Sequence, residues 1–197
     1  MTGILDRIQD VACGYRHTLV LSERGSVFGM GTNRRFELGL INQQPQTPKS
    51  LSPVKIQSLD LYNIVKVKAG SFSAALTVEQ DILIWGSGEF GQVQTPIKIC
   101  PSDGVKFSNL SLGKGRDSFG TAIDADGFLY SWGDNQTGQL GLGDFSARKI
   151  PTKVNQLRKK RVNLVQCGGS FVVALGKDVP EGYQKAKKSK RAKDNNQ

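Results

Sequence analysis

Apolar and polar positions along the chain follow a pattern that returns. CGYRHTLVLSERGSVFGMG runs from Cys13 to Gly31, AGSFSAALTVEQDILIWG lies near residue 70, and GRDSFGTAIDADGFLYSWG lies near residue 115. A shorter form, CGGSFVVALG, runs from Cys167 to Gly176. Each copy opens on a short run of small, β-branched and apolar residues: HTLVL, SAALT, GTAID and VVALG. In the three longer copies an aromatic-rich run follows: SVFGMG, ILIWG and FLYSWG. Both series are strand signals. Between them SERG, VEQD and DADG read as tight turns, with Gly25, Asp81 and Gly127 at the place that needs positive φ. No helical periodicity persists for ten residues anywhere in 1–176, so the predicted class is all-β.

The aromatic-rich runs end on Met30-Gly31, Trp85-Gly86 and Trp132-Gly133. Glycine-bearing segments follow, TNRRFELGL, SGEFGQVQ (with Gly91) and DNQTGQLGLG (with Gly138 and Gly141). A proline then leads into alternating residues in PVKIQSL, PIKI and PTKVNQL. Upstream, Gly14, Gly70, Gly113 and Gly168 open successive copies, spaced by about 51 residues on average, a period typical of propeller blades or solenoid units. The copies occupy about 8–59, 64–99 and 107–157, with a partial one at 161–176. Trp85 and Trp132 are expected to pack between sheets, their glycines letting backbones approach. Cys13 and Cys167 share one repeat position and are expected to behave as small buried apolar residues.

Charge divides the chain differently. Of the +10 net charge, residues 1–157 carry +2 and residues 158–197 carry +8. Arg158, Lys159, Lys160 and Arg161 form one basic run; Lys185, Lys187, Lys188, Lys190, Arg191 and Lys193 form another. The second lies in a polar stretch, so 177–197 is predicted to be a disordered basic tail after repeats spanning 1–176. Both runs are candidates for an import receptor or a nucleic-acid backbone, a solvated terminus being the plain alternative. No tract is long enough to span a bilayer, and the opening residues lack the apolar stretch of a secretory signal. Three scattered cysteines argue against a disulfide framework and for a reducing compartment, nucleus or cytosol.

Candidate chemistry is sparse. One histidine, His17, and no C-x-x-C pair leave no expected metal site. Cys13 and His17 are close enough in sequence for a nucleophile pair, but nothing orients the base. GQLGLGD lacks the Lys-Ser/Thr of a phosphate loop and precedes no predicted helix. No cofactor and no covalent chemistry are expected.

ACGYRHTLVLSERGSVFGMGTN and SWGDNQTGQLGLGDFSARKIPTKV resemble the repeat of the regulator of chromosome condensation family, over residues 8–176. The pattern departs from that repeat in Met30 for tryptophan, in Phe36 for glycine, in a second copy without LGLG, and in an insertion around GKGRD. The resemblance implies a seven-bladed β-propeller. This chain would then be an incomplete one, an arc of about three and a half blades. Such an arc is a piece of a longer protein, a ring completed by self-association, or an open arc held by a partner. In this light His17-Thr18 is the strand-opening pair, bonded to backbone between blades. The light-sensing branch of the family relies on clustered tryptophans; with Tyr15 in GYRHT and only two tryptophans, that function is not expected. The function implied is recognition of a protein partner. It extends to exchange-factor or regulator activity on a Ran-type small GTPase, with chromatin or DNA bound through the basic tail. The alternatives are a structural or scaffolding module of ciliary or ubiquitin-ligase context, or a fragment of a longer propeller without independent activity. No membrane partner is expected.

Overall fold

The computed structural model describes residues 6–40, 48–101 and 104–179, and it is an arc of antiparallel sheets. The first sheet comprises β1 (Ile8–Cys13), β2 (His17–Ser22), β3 (Val27–Thr32) and β4 (Lys49–Lys55), in chain order. The second repeats that order with β5 (Ile64–Ala69), β6 (Ser73–Thr77), β7 (Ile82–Gly88) and β8 (Gly91–Ile99). The third does so with β9 (Phe107–Leu112), β10 (Phe119–Asp124), β11 (Leu129–Gly133) and β12 (Arg148–Lys153). A fourth, two-stranded sheet pairs β13 (Lys160–Cys167) with β14 (Val172–Asp178). The first strand of each sheet packs against the first strand of the next, so β1, β5, β9 and β13 lie along the inside of the arc. These are three propeller blades and the inner half of a fourth. The tail lysines and arginine from Lys185 to Lys193 lie outside the described residues.

Burial follows from this stacking. The middle blades are covered on both faces, so β6 and β10 are buried at every position. That is why SAALT and GTAID read as continuous runs of small residues instead of an in–out alternation. Between the first two blades pack Leu19, Leu21, Ile56, Val67, Leu83 and Trp85; between the next two, Phe72, Ile84, Phe107, Leu110, Tyr130 and Trp132. At the ends the cover runs out. β14 is exposed from Val173 onward, and Ile8 and Val11 of β1 are half exposed.

Cys13 shows the same edge effect and corrects one expectation. Its counterparts Ala69, Leu112 and Cys167 are buried under the preceding blade, but Cys13 is exposed, because no described blade precedes its own. A second correction concerns the turns. Gly25 and Gly127 have φ of 81°, but in the second blade the left-handed residue is Gln80 (φ 64°), one position before Asp81. Asp81 instead occupies the place of Ser26: its N–H bonds to Thr77 Oγ1 at 3.2 Å, as Ser26 N–H bonds to Ser22 Oγ.

Candidate recognition rim

Strands alternate in direction, so each blade has two ends. One rim collects the tight turns and the outer-to-inner crossovers. The other collects the glycines that open each copy and the segments after Met30-Gly31, Trp85-Gly86 and Trp132-Gly133. The second rim is held in register by a backbone ladder. Tyr15 N–H donates to the Gly70 carbonyl (2.9 Å), Ser71 N–H to Gly113 (3.0 Å) and Lys114 N–H to Gly168 (3.0 Å). Each rung ties one blade to the next. Glycine is required because a Cβ on Gly14 would stand 2.6 Å from the Gly70 carbonyl oxygen.

Beneath the ladder lies a buried polar chain. Ser73 Oγ donates to the Glu37 carbonyl (2.6 Å), and Trp85 Nε1–H donates to the same oxygen (2.8 Å). The serine proton being spent there, His17 Nε2 carries the proton of the 2.8 Å bond it makes with Ser73 Oγ. His17 therefore bonds a side chain of the next blade and not its backbone. Burial pushes its pKa down to about 4, so the ring is neutral at physiological pH. Asn33 and Asn135 brace the loops above, their Oδ1 atoms accepting the N–H of Leu38 (2.9 Å) and Leu140 (3.0 Å). Phe36, at φ 63°, stands where the third blade has Gly138 at φ 76°.

The second blade lacks this loop: β7 and β8 close directly through Gly88–Gly91. The consequence appears one blade later. Trp132 is fully buried like Trp85, yet its Nε1–H has no partner among the described residues. The loop that supplies the acceptor for Trp85 has no counterpart in front of Trp132.

On this rim a cavity of about 340 Å³ opens between blades, lined by Tyr15, Arg16, Arg34, Arg35, Glu37 and Arg116 among others. The longer loop around GKGRD carries Arg116 from the third blade to Tyr15 of the first. Hydrogen bonds from Arg116 and then Arg16 hold the Tyr15 hydroxyl below its usual pKa, and the Arg16 guanidinium lies 5.1 Å from the ring centroid. Glu37 is 6% exposed, and its carboxylate accepts the Arg35 N–H at 2.8 Å. The floor is the neutral His17. This cluster escapes a reading along the chain, because Arg116 of the third copy joins Arg16, Arg34 and Arg35 of the first only when the blades stack.

The residues singled out in the sequence fall in several places. Gly14, Gly70 and Gly168 are ladder positions; Gly31, Gly86 and Gly133 lie in the last part of the third strands at φ of 103°, 107° and 100°. Gly138 and Gly141 turn the third blade's loop, and Gly91 starts β8. Arg158, Lys159, Lys160 and Arg161 lie on the opposite rim, at the crossover into β13. There Lys160 pairs with Asp178 (2.7 Å), and Arg161 sits 4.0 Å from the Phe128 ring centroid. Among the described residues there is no grouping of three or more His, Cys, Asp or Glu side chains able to hold a metal ion. Nor is any described helix long and apolar enough to cross a membrane.

Residues 24–76 and 126–175 match the regulator of chromosome condensation (RCC1) repeat, and residues 8–36 match a second form of that repeat. The ultraviolet-B receptor UVR8 of Arabidopsis thaliana is 31% identical over 181 residues, 87% of this chain and 40% of that protein. The human E3 ubiquitin-protein ligase HERC2 is 32% identical over 185 residues, 88% of this chain and 4% of that protein. The crystal structure of Prp20p from Saccharomyces cerevisiae, described with its binding to Gsp1p and histones, superposes with a TM-score of 0.78. At 21% identity it covers 96% of this chain and 48% of its own. The chain thus spans less than half the length of each of these relatives.

Proposed function

The chain belongs to the regulator of chromosome condensation (RCC1) repeat family, and from that footing we propose that it recognises a protein partner through the glycine-ladder rim. One observation carries this reading. Loops of three successive blades converge there, locked to one another by backbone hydrogen bonds, and present exposed arginines around a formed cavity. Rigid placement of exposed polar side chains lowers the entropic cost of binding. The action is binding alone, with no covalent step.

As partner class we propose a Ran-type small GTPase, with the chain acting as its exchange factor or regulator in the nucleus. The support is the likeness to Prp20p, which binds Gsp1p and histones, and the crystal structure of Kap60 bound to yeast RCC1 (Prp20). Fold alone does not transfer activity. Nucleotide release from a purified Ran-type GTPase is the direct test: acceleration supports the reading, and none at saturating protein removes exchange activity from it. The second reading is a scaffolding module, favoured by the likeness to HERC2. It is distinguished by partner capture that depends on the rim without any effect on nucleotide release. Contact of the tail lysines with chromatin or DNA belongs to the same proposal. It predicts steeply salt-dependent binding that flattens when residues 183–197 are removed. Completion of the ring by a second copy is the assembly reading, tested by sedimentation.

A further inference from the structure

We propose that the cavity bounded by Arg16, Arg34, Arg35 and Arg116 receives an oxyanion, a carboxylate or phosphate, carried on an extended acidic segment of a protein partner. The inference rests on the recognition reading and names the chemistry that the rim selects. Some described cations elsewhere pair with acids, as Arg24 does with Asp6, Lys55 with Asp60, Lys98 and Lys106 with Asp81, and Arg148 with Asp144. None of the four rim arginines reaches a carboxylate within 4 Å among the described residues. The one carboxylate in the lining, Glu37, is buried and accepts a backbone N–H. Asp117, next to Arg116, is engaged by the Ser170 hydroxyl at 2.6 Å. Neutral His17 beneath them adds no charge of its own. Four guanidinium groups stand around one opening with the buried Glu37 as the one carboxylate in the lining, an excess of positive charge that an entering anion offsets.

The residue type sharpens the ligand class. Guanidinium presents a planar fork of donors that meets carboxylate or phosphate oxygens in pairs, which an ammonium group cannot do. Tyr15 stands at the mouth, the Arg16 guanidinium lying 5.1 Å from its ring centroid. A volume of about 340 Å³ suits one or two side chains. Nucleic acid calls for a charged stripe that follows a backbone, with aromatic rings for stacking. This site is a recess open to solvent, with one tyrosine in its lining.

The experiment uses the full chain and fluorescent peptides: a Glu/Asp-rich peptide, a phosphoserine peptide, their Gln/Asn counterpart, and a short DNA strand. Anisotropy titrations are made at low and physiological salt. Binding of the acidic or the phosphorylated peptide, but not the neutral one, is expected, and the tighter of the two identifies the oxyanion. R34A/R116A is expected to weaken binding by about tenfold or more, and R34K/R116K to restore part of it because charge returns without the fork. All four arginines being surface groups, circular dichroism of each variant should match the parent. Neutralising the lysines of 185–193 should leave peptide binding unchanged. Equal binding by R34A/R116A, loss on neutralising the tail, or arginine-dependent binding of DNA alone overturns the proposal. If peptides fail to bind while a folded partner is still captured, the oxyanion site is lost and the recognition reading stands. If peptides bind and no folded partner does, the recognition reading is lost instead.

Discussion

Trp85 and Trp132 occupy one repeat position, are both fully buried and differ in a single bond, which makes them a controlled pair. Replacing either by phenylalanine removes part of an indole from a packed interface, a loss of about 1–2 kcal/mol from apolar burial and imperfect refilling. At Trp85 the Nε1–H bond to the Glu37 carbonyl is lost as well, worth about 1 kcal/mol; that oxygen keeps its bond from Ser73. Trp85→Phe should therefore destabilise by about 2–3 kcal/mol. At Trp132 the substitution also removes a buried donor that has no acceptor, returning about 1–3 kcal/mol of desolvation cost. Trp132→Phe should therefore lie between about 1 kcal/mol less and about 2 kcal/mol more stable than the parent. Urea unfolding followed by circular dichroism measures both. Each variant keeps one tryptophan, so its fluorescence reports separately on the remaining interface. If Trp132→Phe costs as much as Trp85→Phe, the missing loop of the second blade has no energetic consequence and the account of these two residues is wrong.

Three further outcomes are expected. His17 is the sole histidine, and its folded pKa of about 4 lies below the unfolded value, so between these pH values the unfolded chain binds the extra proton. Stability should be fully present above about pH 6.5 and fall by about 3 kcal/mol as pH drops to 4; His17→Gln should flatten that segment of the pH–stability curve. Gln80→Gly, at an exposed turn with φ of 64°, should stabilise by about 1 kcal/mol in thermal unfolding, because glycine carries no left-handed penalty. Thiol titration of the native protein should label exposed Cys13 rapidly and spare Cys167 until the chain unfolds, since burial raises the latter's pKa.

The repeat was legible because its signals are local. Continuous small-residue runs, turn glycines and the Trp-Gly ends each act within a few residues, and together they disclose an all-β propeller of the RCC1 type. Phe36 was recognisable as a replaced glycine, and it holds the left-handed conformation that a glycine would take at no cost. What stayed hidden depends on neighbouring blades. Cys13 and Cys167 look equivalent along the chain, yet among the described residues only the latter is covered by a preceding blade. The orphaned donor of Trp132 follows from a loop missing in the preceding copy, a relation that no single copy contains. The rim arginines belong to GYRH, TNRRF and GKGRD, and they become a cluster only after three blades stack. The available clue was positional: in the first and third copies they sit beside an opening glycine or just beyond a strand-ending one.

The rungs between blades all point one way, from an N–H of one copy to the glycine carbonyl of the next. Such a seam has polarity, like a zipper with distinct left and right teeth. Any further unit meeting the fourth blade must offer it an acceptor, and any unit meeting the first must offer Gly14 a donor. Joining is therefore head-to-tail, and two identical open faces cannot mate with each other through this seam.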